Sequence, residues 1–480
     1  MSSKYSCIAI AVISIFSSAA VYAQEAEIRS TLADQKSVAV TIYNNNLALI
    51  KDQRKVKLAS GINTLALRDV SAQIRPETAL LRSLNYATGF STLEQNFDFD
   101  LLTPQKLLEK YVGKSVTVVK VNPSNGIETS ESAQVLSANN GVVLKVGNRI
   151  ETGIPGRIVY DDVPANLRDR PTLVTQIHNK TAAEHLLELS YLTGGLSWKA
   201  DYVAELNAKE DKIDLSGWVT LTNTSGTSYQ DAKLQLVAGD VNRVPEQQVR
   251  TMAVRKTMEL AADSAGMAEE SLLEYHLYSL EQATTILENQ TKQVALLSAS
   301  NVPARKELIL RGADYYYGAN FGDLGQKLKV AVFVEFDNKE AAKLGMPLPK
   351  GIMRVYKKDS KGNAQFVGED NIDHTPKNEV VRLKLGDAFD VTANKKQTDF
   401  KTLPRPAKGN SIFESAYEIV LKNAKKEAVT VTVQEPIPGD WKLLKENHPN
   451  QKSSSNSTSW KIEIPAEGKT TLTYRVQVKY

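Results

Sequence analysis

The sequence predicts a mostly β protein: tandem antiparallel β-sandwich domains with a small β-barrel-like insertion and little helix. Three observations carry that prediction. Apolar residues recur at every second position in segment after segment, turns rich in Gly, Asn, Asp and Ser separate these segments, and runs of helical period are scarce. Strand side chains point alternately to two faces, so period two buries one face and wets the other.

The elements follow in order. Lys4, a nearly uncharged stretch over 7–20 and the small residues of Val21-Tyr22-Ala23 read as a secretory signal peptide over 1–23. The expected location is therefore exported, periplasmic or cell-surface associated, with an uncleaved N-terminal anchor as the alternative. Cys7 is the single cysteine and falls inside this leader, so the exported part holds none. Disulfides, thiolate metal sites and cysteine nucleophiles are thereby excluded, and the fold rests on core burial.

Residues 24–100 and 173–242 supply an N-terminal sandwich. In it Trp198, Ala200, Tyr202, Ala204 and Leu206 fall on one face of a strand, with Lys199, Asp201 and Glu205 on the other. Trp198 and Trp218 are expected as core anchors. Residues 101–172 read as a small inserted β domain with one short helix. Thr103 caps it, Pro104 takes its first position and Gly113 stops it, with Leu107, Leu108 and Tyr111 as its apolar side. Strands are predicted over 115–121 and 142–146, with turns over 122–126 and 139–141.

The alternation fails over 243–271, where Arg250, Arg255 and Lys256 mix with Met252, Met258 and Met267 ahead of Glu269-Glu270. This reads as a mobile loop or linker. Residues 272–480 form a C-terminal β-sandwich region. Tyr417, Ile419 and Leu421 precede a turn over 422–427, and Val429, Val431 and Val433 follow it. A polar, exposed loop is expected over 450–459. At the end, Leu472, Tyr474, Val476, Val478 and Tyr480 alternate as in the last strand of an outer-membrane barrel. The short, unevenly spaced strands and the Pro-bearing loops at 404–406 and 435–439 favour a sandwich instead.

The formal charge of +4 is spread along the chain. No dense basic block interleaves with aromatics, which excludes nucleic acid as a partner. Beyond the leader no apolar run reaches spanning length, so no transmembrane span is expected in the mature chain. Neither HExxH nor GxSxG occurs, and no Gly-rich phosphate loop is present.

Two clusters are candidate sites. Glu369, Asp370, Asp373 and His374 fall within six residues in an acidic loop between strands ending near 367 and starting near 380. Carboxylates and an imidazole so close suit a divalent cation or an acid/base pair. The same residues are also strong turn formers, with Pro376 fixing the exit. No cofactor is predicted, and a divalent cation is the one candidate ligand of this kind. The second cluster, Tyr315, Tyr316 and Tyr317, is a possible aromatic contact surface. Three consecutive residues of a strand cannot all face one core, so at least one points outward or into another domain.

Four blocks resemble a known family. They are YLTGGLSWKADYVAEL at 191–206, GWVTLTNTSGTSYQDAKLQLVAGDVNRV at 217–244, YHLYSLEQATTILENQTKQVALLSASNVPARKELIL at 275–310 and MPLPKGIMRVYKKDSKGNAQFVGEDNIDHTPKNE at 346–379. Together they are similar to a bacterial domain of unknown function shared with the mucoidy-inhibitor proteins. The resemblance covers roughly 40–480. It implies tandem sandwiches and export, and it carries no catalytic residue or cofactor. The long coiled-coil insertion of the mucoidy-inhibitor branch is missing.

The functional expectation is an exported structural or interaction protein of the bacterial cell envelope. Its partner would be a protein or glycan of that envelope. The alternative is a metal-dependent or acid/base hydrolase acting on envelope material, with Asp370, Asp373 and His374 carrying the chemistry.

Overall fold

The computed structural model describes residues 27–44, 46–154, 156–164, 167–239, 241–242, 268–273, 275–404 and 411–480. The leader over 1–23 and most of the predicted linker, 243–267, lie outside the described residues. Among the described residues strands dominate, and none of the sheets closes into a barrel. The chain divides into two compact units, one of residues 1–36, 53–70 and 80–189, the other of 37–52, 71–79 and 190–480.

In the first unit, a sheet runs in the order Ile28–Ser30, Gly61–Arg68, Thr172–Asn179 and Phe90–Asp98. The predicted insertion begins with a helix over Pro104–Lys110, where the Thr103 hydroxyl accepts from the Lys106 N–H at 3.1 Å. That bond satisfies one of the N–H groups every helix start leaves open. The expected strands appear as Ser115–Val121 and Val143–Val146. They belong to a five-stranded sheet whose order ends in two free edges, so the insertion is an open sheet and not a barrel. Leu108 of the helix and Tyr111 just after it pack with its core of Val116, Val118, Val135 and Leu144.

In the second unit, Leu196–Leu206 pairs along its full length with Lys212–Asn223, which pairs in turn with the first half of Gln290–Arg311. Gly351–Lys358 adds parallel to the other side of Leu196–Leu206, and Ala364–Ile372 lies outside it. Trp198 is buried as expected, but Trp218 is 41% exposed. The alternation of its strand sends Leu215, Gly217 and Val219 inward, which leaves Trp218 on the outer face. Glycine is needed at 217, since a Cβ there would stand 2.9 Å from Leu297 and 3.2 Å from the Tyr202 ring.

The C-terminal part of this unit is a sandwich. One sheet runs Asp323–Asp337, Val380–Leu403, Ile412–Asn423, Lys469–Lys479, Asp440–Glu446. The other joins the end of Gln290–Arg311 to Val429–Pro436, Ser457–Ile464 and Asn450–Ser454. Inward residues of both sheets share one core, including Leu310, Tyr417, Ile419, Val431, Val433, Trp460, Leu472 and Val476. The terminal strand is paired on both sides, by Ile412–Asn423 and by Asp440–Glu446. The predicted loop over 450–459 is instead a hairpin, with backbone pairing from Asn450 to Ser457 and beyond. Gln451 and Ser454 to Asn456 are exposed while Thr458 and Ser459 are buried, a difference that polar composition alone does not record.

Candidate functional site

The acidic block sorts into structural roles. Glu369 and Asp370 belong to the strand Ala364–Ile372, opposite Arg354 and Met353 of the neighbouring strand. Glu369 pairs with Arg354 at 3.2 Å, and Asp370 accepts from the Lys384 backbone N–H at 2.7 Å. Only Asp373 and His374 stand in the connection after that strand. Asp373 accepts from the His374 N–H at 2.9 Å, and His374 Nδ1 accepts from the Lys350 N–H at 3.3 Å. The connection is tied down by a two-way backbone exchange between Leu348 and Thr375. Among the described residues, no three His, Cys, Asp or Glu side chains gather as a cation site.

Beside this block lies a cleft of about 170 Å³, lined by Leu206, Val332, Val334, Val367 and Leu385 with Glu210, Lys306 and Lys357. Glu369, Asp370, Asp373 and His374 do not line it. Sequence reasoning placed no site here, because its residues come from six separate strands and one turn.

The tyrosine triplet is not in a strand. Asp314–Tyr317 forms one turn of 3-10 helix, and that turn splits the three rings. Tyr316 and Tyr317 enter the sandwich core while Tyr315 stays 61% exposed. The outward ring packs edge-on against Tyr316 at 4.8 Å and Phe321 at 5.7 Å. Below them Phe400 stacks on Phe413 at 5.6 Å, and Phe413 meets Tyr480 edge-on at 5.8 Å. A Cβ on Gly318, at the end of the 3-10 turn, would stand 3.9 Å from the Tyr480 hydroxyl. The two ring groups therefore share one end of the sandwich. Such herringbone contacts fix ring orientation, and each aromatic pair contributes about 1 kcal/mol beyond its burial.

What holds this ledge is a polar network that the sequence reading missed. Lys395 on one sheet and Glu435 on the other meet across the core, with Nζ donating to both carboxylate oxygens at 2.7 Å. Their side chains are 2% and 1% exposed. The Tyr317 hydroxyl donates to Glu435 Oε2 at 2.8 Å and lies 3.0 Å from the Tyr474 hydroxyl. The Lys395 ammonium sits 4.3 Å from the Tyr316 ring centre and 5.2 Å from that of Tyr417. The Tyr417 hydroxyl donates to the Tyr316 carbonyl at 2.7 Å, which pins the 3-10 turn from beneath.

The electrostatics follow from burial. Desolvation pushes the Lys395 ammonium below the ordinary lysine value, and Glu435 opposes that fall. The phenols of Tyr317 and Tyr474 are pushed well above theirs, by burial first and by the neighbouring carboxylate second. These hydroxyls thus remain protonated donors. Trp460 is fully buried and stacks on Tyr474 at 4.7 Å. An inter-sheet link beside a buried Trp is the place where immunoglobulin-type sandwiches put a disulfide. Here the link between the sheets is an ion pair, joined to Trp460 through Tyr317 and Tyr474.

A signal for the pair was present in the sequence. Val391, Ala393, Lys395 and Gln397 share the inward face of one strand, and Val431, Val433 and Glu435 that of another. One charge of each sign on two apolar faces is the pattern of a paired buried charge.

The fold and this site define a mostly β chain with a sandwich in its C-terminal half and an aromatic ledge at one end of that sandwich. A family model described as a domain of unknown function, DUF4139, matches residues 187–480, and the chain belongs to that family. No curated protein matches the chain.

Proposed function

We propose that this is an exported protein of the cell envelope that works by binding a partner, with the ledge of Tyr315, Phe321 and Tyr480 as its contact face. One observation carries the reading: Tyr315 is largely exposed while the two residues after it are locked in the core. A ring held in place before binding loses little freedom on contact, and tyrosine is enriched among the residues that dominate protein interfaces. The interplanar angles of about 70° around Tyr315 present edges as well as faces. A sugar chain stacks on flat faces, so this knobbly surface favours a protein partner over a glycan.

Export rests on the leader-like segment at 1–23. A link to the mucoidy-inhibitor proteins, and with it a bacterial envelope, rests on the blocks at 275–310 and 346–379. The hydrolase alternative draws no support from Glu369, Asp370 and Asp373, whose carboxylates are engaged by Arg354, the Lys384 N–H and the His374 N–H. The test is Tyr315→Ser with Phe321→Ser in the full chain, assayed for partner capture from envelope fractions against protein and glycan digests. Loss of capture with retained folding is expected, and protease treatment of the fraction should abolish it. Capture unchanged by the double substitution overturns the proposal.

A further inference from the structure

The cleft beside the acidic block has the chemistry of a ligand site that is independent of the aromatic ledge. Its floor is apolar, built from Leu206, Val332, Val334 and Leu385. At one end the ammonium groups of Lys306 and Lys357 both contact a single carboxylate, that of Glu210. Two positive charges therefore face one negative charge. Asp387, the other acid of the cleft, is taken by Lys329 at 3.4 Å.

Each ammonium has three N–H donors, and Glu210 accepts one from each lysine. The lysine side chains are 27% and 34% exposed, and both line the cleft. Burial raises the Glu210 carboxyl but the two lysines outweigh it and hold the group below its ordinary value, so it stays charged between them. Glu210 thus already occupies part of an anion position and shows what kind of group fits. Gly386 lines the opening, and a Cβ there would meet nothing within 4 Å, so the lip is open on that side. A cavity of about 150 Å³ is enough for a benzene-sized molecule, and about 170 Å³ takes a six-carbon apolar group.

We infer that this cleft binds an apolar carboxylate, its tail on the valine and leucine floor and its head on the free donors of Lys306 and Lys357. Two sources offer that chemistry: the end of a short acyl chain, and a polypeptide C-terminus whose last side chain is apolar. The pocket reads the shared group, a carboxylate one short step from an apolar body.

The experiment is ligand-observed NMR on the full chain with four probes: hexanoate, hexanamide, a short peptide ending in Leu with a free carboxylate, and the same peptide amidated. Saturable binding of at least one free carboxylate is expected, with its neutral amide at least tenfold weaker. Binding of hexanoate alone assigns the acyl source, binding of the free peptide alone assigns the chain terminus, and binding of both assigns the shared group. Lys306→Gln and Lys357→Gln, each on the rim and tested singly, should each weaken the bound probe severalfold, and together tenfold or more. Circular dichroism confirms that both variants fold. Absence of saturable binding by both carboxylates overturns the inference, as does equal binding of carboxylate and amide. Because Tyr315 and Phe321 are untouched, failure here leaves the ledge proposal standing.

Discussion

Replacing Glu435 with Gln is the sharpest perturbation of the sandwich. The change keeps the shape of the side chain and removes its charge, leaving Lys395 against the Tyr316 and Tyr417 rings without its carboxylate. Breaking a buried pair from one side costs about 3–5 kcal/mol. The structure adds an upper limit, because Lys395 can escape by shedding its proton. At pH 7 the solution lies about 3.4 units below an ordinary lysine value of about 10.4, and at about 1.36 kcal/mol per unit the loss is capped near 4.6 kcal/mol. At pH 9 the same sum gives about 1.9 kcal/mol. The sign follows from proton counting. A lysine depressed in the folded state binds fewer protons there than when unfolded, so stability rises with pH up to the unfolded value. The deficit of Glu435→Gln relative to wild type should therefore shrink from about 4 to about 2 kcal/mol between pH 7 and pH 9. Adding Lys395→Met should restore most of the loss, since a neutral pair has no stranded charge. A chain of two units has no single unfolding midpoint. The assay is accordingly native-state hydrogen exchange in Val380–Leu403 and Val429–Pro436. A cost below about 1 kcal/mol, or a deficit that does not change with pH, refutes the reasoning.

Other outcomes follow from the same contacts. Gly312→Ala would place a Cβ 2.1 Å from Glu435 Oε2 and should destabilise the same strands by about 1–3 kcal/mol in urea titration. Glu210 is held below its ordinary carboxyl value, so its contribution is full above that value and is lost as pH falls through the lower folded one. Acid titration of Glu210→Gln should show a flatter stability profile below about pH 4.3 than wild type. Asp373→Ala with His374→Ala removes two hydrogen bonds of the connection and should cost about 1–2 kcal/mol while leaving calorimetric titrations with Ca²⁺ and Zn²⁺ unchanged. A saturable cation site abolished by that pair would revive the hydrolase reading.

The fold class was legible because alternation is a direct record of which face is buried. Trp198, Tyr417, Ile419 and Leu472 all fall where that pattern puts them. Local chemistry was legible too, as the Thr103 cap and Pro104 show. What failed was polarity read without direction. The polar composition of 450–459 reads as a loop although these residues pair as a hairpin, and Trp218 reads as a core residue although it follows the inward Gly217. Pairings between distant strands are invisible to any local window. Lys395 and Glu435 are forty residues apart and meet only because two sheets share a core. The Glu210 cleft is of the same kind, assembled from turns and strands that no spacing rule connects.

The claim that Tyr315 faces a partner is tested most directly by a photo-crosslinking amino acid placed at 315 in the full chain, in its native cells. The same substitution at exposed Lys361 serves as the control. The account predicts one discrete crosslinked protein product from position 315, absent from 361 and lost when Phe321→Ser is added. Equal, diffuse labelling from both positions, or none from 315, would contradict it.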